Sequence, residues 1–303
     1  MKKTKKTAFW TIILSAMLLI LTPVTALADM GPKPSIVITF EHLGEELCYA
    51  TLLSKTDSTG PASVWDGNPY HAKHKGMYEY AALDYDDWKA FAEYQDADGF
   101  YFLQTAWQIN ETKELAWTYY PPKEFKILLY FPETEEFVSS GIYERYAFDS
   151  YYTVDMKEQV EHSALNGFVI QAVPAYRYGW EIISLVTRII ITIVIELAAA
   201  LLFGFREKKQ LQFFVVVNLL TQILLNVLLN TANYYAGSMA FVMAYVCLEL
   251  LVFAVEAIVF RRFLNRFSVK KRSVGRITAY ALTANMASFL GGMWIAVHLP
   301  GIF

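Results

Sequence analysis

Four long apolar stretches in the second half of the chain, residues 180–205, 211–230, 238–260 and 277–299, limit what it can fold into more than any other feature. About 20 consecutive apolar residues cross the hydrocarbon of a bilayer as a helix. The spacing therefore predicts an all-α four-helix transmembrane bundle over 179–303. Composition agrees with a membrane segment, since 55% of the 303 residues are hydrophobic and only 18% charged.

The loops set the expected orientation. Arg206, Lys208 and Lys209 lie between the first two stretches, and Arg261, Arg262, Arg266, Lys270, Lys271, Arg272 and Arg276 between the last two. Residues 231–237 and 300–303 carry no Lys or Arg. Basic loops stay on the cytoplasmic side, so 206–210 and 261–276 are expected inside, and the C-terminus outside. The chain start points the same way. Lys2, Lys3, Lys5 and Lys6 precede an apolar run, and Ala26-Leu27-Ala28 offers a small-residue cleavage site. Residues 1–28 thus read as a signal peptide that exports the domain beginning at Asp29.

Residues 29–178 form the expected extracytoplasmic domain. They hold 24 acidic against 11 basic residues, a balance that argues against nucleic acid as a partner, since its phosphates demand a basic surface. Alternation in 35–41, β-prone runs at 46–54, 100–108, 125–131 and 143–154, and turn residues between them predict a mostly antiparallel, sandwich-like α+β fold. Gly44 marks a hairpin between the first two strands. Residues 85–94 have helical spacing, with Asp84, Asp86 and Asp87 at the N-terminal end. Cys48 and Cys247 fall in different parts of the chain, so no disulfide is expected.

Chemistry-bearing motifs are sparse. His71 and His74 stand three apart in a loop, and Asp96-Ala97-Asp98-Gly99 resembles the opening of a calcium loop without its later ligands. Both read as ordinary loop features, and Asn110-Glu111-Thr112 is a bare sequon. The apolar stretches contain no Asp, and only His298 near one end, which disfavours an intramembrane protease. No catalytic residue, metal ligand or cofactor is assigned.

Among the polar residues inside the apolar stretches, which also include Thr221, Asn230, Thr283 and Ser288, the candidate site is Arg188, Glu196, Asn218, Gln222, Asn226, Glu249, Glu256 and Asn285. Ionisable groups in hydrocarbon are costly and need partners or a purpose. Counted from the basic ends at about 1.5 Å per residue, Glu196, Asn218 and Asn285 lie about 12 Å deep. Glu256 lies shallower and Glu249 deeper on one face, while Arg188 is placed to snorkel toward Glu249 or a headgroup. Asn218, Gln222 and Asn226 form a stripe facing other helices. Such a cluster serves as interhelical glue, as an ion path or ligand site, or as a contact with a partner subunit or second copy.

The segment 29–35, the runs 125–131 and 143–149, Phe203-Gly204-Phe205-Arg206, and the Asn218/Asn226 and Glu249/Glu256 pairs resemble a group of uncharacterised membrane proteins of Gram-positive, clostridial-type bacteria. That resemblance implies a bacterial plasma-membrane location and supplies no activity. The functions left open are an extracytoplasmic binding, sensing or accessory protein that meets an envelope component, a transporter or channel component using the buried glutamates, and an intramembrane enzyme.

Overall fold

A computed structural model describes residues 31–74, 83–157, 169–176 and 178–298, so the expected signal peptide lies outside the described residues. The chain divides into two compact units, 32–176 and a helical unit from 177 onward.

The first unit is mostly antiparallel β. One sheet has the order β12(Ala172–Pro174), β11(Asp149–Asp155), β1(Ser35–Glu41), β7(Glu114–Trp117). The second runs β10(Tyr143–Glu144), β8(Glu124–Phe131), β2(Tyr49–Ser54), β5(Tyr101–Phe102), with β6(Trp107–Gln108) also on β2 and β9(Glu136–Ser139) on β8, while β3(Ser58–Thr59) and β4(Ala62–Ser63) pair only with each other. Ile36, Ile38 and Phe40 of β1 alternate inward and meet Ala50 and Leu52 of β2 and Phe125, Ile127 and Leu129 of β8. That shared core makes the two sheets a sandwich.

A helix adds a third layer. On the other face of the second sheet, Leu53, Leu128, Tyr130 and Phe102 pack against Trp88 and Phe91 of α1(Tyr85–Glu93). Phe91 stacks on Phe102 at 5.0 Å and meets Tyr130 edge-on at 5.5 Å. This explains why 125–131 reads as an unbroken apolar run: β8 is covered on both faces. Lys126 is the polar exception on that buried strand, and its Nζ donates to Asp96 and to Asp98 (3.0 Å).

The hairpin expected at Gly44 is corrected by the topology. β1 pairs in parallel with β11, while β2 pairs with β8 in the other sheet, so 42–48 crosses between sheets. Burial drives the crossing, because β1 and β2 each need an inward face on the same core. The run 100–108 also divides, into β5 and β6 around Gln104 at φ 59. Likewise 143–154 divides into β10 and β11, which lie in different sheets.

The helical unit comprises α2(Tyr178–Leu202), α3(Lys208–Phe263) and α4(Val274–His298). Among the described residues two helices are long and apolar enough to cross a membrane, Tyr178–Leu202 and the stretch Lys208–Arg266. The long one is not straight. Gly237 sits at φ 80, ψ 180, outside helical geometry. Thr221 and Glu256, 35 residues apart, are hydrogen-bonded at 2.6 Å, whereas a straight helix would separate them by about 50 Å. Hence α3 doubles back at Gly237 into two antiparallel arms, 208–236 and 238–263. The loop expected over 231–237 shrinks to that single glycine, because only glycine adopts such a backbone without strain.

Candidate functional site

Each segment of the helical unit sends a polar side chain to one buried centre. Glu196 comes from α2, Asn218 and Thr221 from the first arm of α3, Glu256 from the second arm, and Asn285 and Ser288 from α4. Glu196, Asn218 and Glu256 are fully buried and Asn285 nearly so. Thr221 Oγ1 donates to Glu256 Oε1 at 2.6 Å and Asn285 Nδ2 donates to Oε2 at 2.8 Å. Ser288 Oγ reaches Glu196 Oε1 at 3.4 Å and the Asn285 carbonyl at 3.0 Å. Asn285 and Ser288, one turn apart, thereby link the two glutamates.

The Thr221 hydroxyl suits either protonation state of Glu256. It donates to the ionised carboxylate. To a protonated one it accepts, and turns its own proton to the Val217 carbonyl 3.1 Å away. Asn285 donates to Oε2 in both cases. Among the described residues no ion pair joins Glu196, Glu249 or Glu256 to a Lys, Arg or His. Several polar atoms there are buried without a hydrogen-bond partner: Glu196 Oε2, both ends of the Asn218 amide, and the Tyr280 hydroxyl.

The other expected residues extend this centre in one direction. Glu249, two turns from Glu256 on the same arm, is buried beside the Tyr245 hydroxyl. Gln222 and Asn226 are buried on the opposite arm, where Asn226 Nδ2 donates to the Gln222 carbonyl at 2.8 Å. Arg188 is buried rather than extended to a headgroup. Its Nη2 donates to Ser184 Oγ at 3.1 Å and its guanidinium lies 5.7 Å over Phe241. All eight expected residues are therefore interior, and Glu196, Glu256 and Asn285 share one hydrogen-bonded chain.

Thr221 and Ser288, polar positions of the same stretches outside the eight expected residues, complete the centre; hydroxyls in apolar helices usually bond their own backbone and give no distinct signal. One feature was not anticipated from sequence, a plug of rings. Phe205, Phe214, Phe260 and Tyr280 pack with centroids 4.5–5.8 Å apart. Phe214 and Phe260 lie one turn from Asn218 and Glu256 on the side of the basic loops. A smaller apolar collar of Leu225, Leu229 and Val252 lies on the other side.

The β unit holds no comparable buried centre among the described residues. Asp96 and Asp98 grip the Lys126 ammonium, so that turn is built around a cation of the chain itself. Asp96 Oδ2 also accepts the Asp98 and Phe100 amides. Burial pushes the Asp96 carboxyl upward, but Lys126 and those amides outweigh it and hold it below its usual range. His71 pairs with Asp66 at 2.8 Å, whereas His74 packs on Tyr85 and Trp88, so the two histidines do not converge. The carboxylates of Glu41 and Asp155 and the ring of His42 cluster on the surface, all exposed. A cleft of about 240 Å³ is lined by Trp65, Tyr94, Gln95, Phe100 and Tyr101.

Comparison with protein-family models, with curated proteins and with solved structures gives no match.

Proposed function

We propose that the chain is a multi-pass protein of the bacterial plasma membrane, crossing it four times, whose helical unit is a proton-linked transport or channel component. In this reading α2, the two arms of α3, and α4 are the four spans. The basic loops 206–210 and 261–276 are cytoplasmic, and 29–178 and the C-terminus are extracytoplasmic. Nine of the ten loop cations are exposed at one end of the helices. The exposed rings of Trp180, Tyr235 and Trp294 fall at the other, as expected for a membrane-interface belt.

The observation that carries the functional part is the centre itself. Glu256 has partners arranged for both its charged and neutral forms, and it lacks a fixed counter-charge. Ion pairs or amide pairs alone would be the ordinary way to glue helices together. Here Glu249, Gln222 and Asn226 add buried polar groups farther from the basic loops, beside the collar of Leu225, Leu229 and Val252, and the aromatic plug lies on the other side of the centre. A buried carboxyl without a fixed counter-charge, on helices that carry further buried polar groups, is what a proton relay uses. The aromatic cleft on the β unit supports an added role for that unit in binding an envelope component.

Proteoliposomes carrying a trapped pH dye test the reading. With an imposed membrane potential, the wild type is expected to admit protons, and Glu256→Gln to fall to the rate of protein-free liposomes. Wild-type flux in Glu256→Gln, at equal incorporation, would exclude this function.

A further inference from the structure

The Glu196 side of the centre differs from the Glu256 side. Both oxygens of Glu256 are occupied by donors, from Thr221 and Asn285. Glu196 Oε2 has no donor, and around it stand two other fully buried groups in the same condition. The Asn218 amide faces Glu196, yet neither of its ends forms a hydrogen bond of acceptable geometry. The Tyr280 ring belongs to the plug, and its hydroxyl lies within the field of both glutamates without a partner. Buried polar atoms are nearly always satisfied, and a group of them left over at one point signals a bound species.

The chemistry of the atoms limits what that species is. Carboxylate, amide and hydroxyl oxygens are hard donors, and no sulfur or imidazole is part of the set, so a soft or borderline metal is disfavoured. Both oxygens of Glu256 are turned to Thr221 and Asn285, so Glu196 is the one carboxylate whose free oxygen faces the unpartnered atoms. One charge in a low-dielectric site balances one positive charge, and a divalent ion would be under-neutralised. A proton on Glu196 Oε2 would donate to one of the Asn218 and Tyr280 oxygens and leave the other without a partner.

We propose that Glu196, Asn218 and Tyr280, with Ser288 Oγ beside them, form a binding site for a dehydrated monovalent alkali-metal cation. The site rests on the ion-handling reading of the same centre and adds a second ion to it. Asn218 presents its carbonyl oxygen to the cation, and the plug rings shield the site from the side of the basic loops. Occupancy ties α2 to the first arm of α3 and to α4, so the bound cation stabilises the packed helices.

Thermal unfolding of the purified full-length protein in detergent, at constant ionic strength, tests this. Replacing choline chloride stepwise by sodium, potassium or lithium chloride is expected to raise the melting temperature saturably for at least one of the three. Glu196→Gln, and independently Tyr280→Phe, are expected to abolish that dependence, while Glu249→Gln keeps it. If Glu196→Gln does not fold, Tyr280→Phe decides, since it removes one atom from a packed ring. Failure of every alkali cation to shift the wild type would overturn the site, as would a shift only with magnesium or calcium, or a full shift in Tyr280→Phe. Proton flux measured in choline medium separates the two ideas. Flux that persists there and depends on Glu256, with no alkali-cation shift, removes the cation site and leaves the proton reading standing.

Discussion

Asp96→Ala is expected to cost the β unit about 3 kcal/mol, a large part of the 5–15 kcal/mol that a domain of this size has. The loss follows from Lys126. Its side chain is 5% exposed and sits on β8 between the sheet and α1, and its strongest partner, Asp96, is 1% exposed. Removing Asp96 strands a buried ammonium and two turn amides together. Asp98 remains at 3.0 Å, but it is half in solvent and screened, which keeps the loss at the lower end for a broken buried pair. Lys126→Met should cost less, because the Asp96 carboxylate keeps the Asp98 and Phe100 amides.

The same pair fixes a pH window. The carboxyl of Asp96 is held below its unfolded value, so its contribution is present above about pH 4 and is lost as pH falls through the folded value. For the Lys126 ammonium, burial pulls downward but Asp96 and Asp98 raise it overall, so its contribution is full below about pH 10 and is lost on going higher. Hydrogen exchange of the β2 and β8 amides in the full chain reads both effects. Equal protection in wild type and Asp96→Ala at neutral pH would refute the assignment.

Gly237→Val is expected to be the most damaging substitution in the helical unit, at about 3 kcal/mol or more, since a β-branched residue has no comfortable place at φ 80, ψ 180. The two arms would then have to turn elsewhere, and the 2.6 Å bond between Thr221 and Glu256 would be lost. Gly237→Ala should fall between Val and wild type. Gly275→Ala is the matched control, because a Cβ there meets nothing within 4 Å. Thermal melting of the detergent-solubilised variants gives the order, and a Gly237→Val protein as stable as Gly275→Ala would mean that the turn is not set by that backbone.

How much of the fold and the centre was legible in the sequence varies with the physics involved. β1, β8 and α1 were readable because their periodicity or apolar length reflects burial directly. Pairing was not readable: nothing local in 42–48 distinguishes a hairpin from a crossing between sheets, and the parallel match of β1 with β11 joins residues 114 apart. The helical unit repeats the lesson. Apolar length marked the stretches, and the cost of burying charge singled out Glu196, Glu249 and Glu256. The tight reversal at Gly237 was hidden, since a short segment between two apolar stretches reads as a loop. Thr221 and Ser288 were visible only as polar positions outside the eight expected residues, and Tyr280 was hidden, because hydroxyls on apolar helices are common and acquire meaning only through what they face.

Whether Glu256 exchanges a proton inside the helical unit is tested most directly by infrared difference spectroscopy of the reconstituted protein between acid and alkaline buffer. A protonated-carboxyl C=O band that appears on acidification in the wild type is expected to vanish in Glu256→Gln and to shift in Thr221→Val, where one hydrogen bond is removed. A spectrum in which no carboxyl band depends on Glu256 would contradict the account.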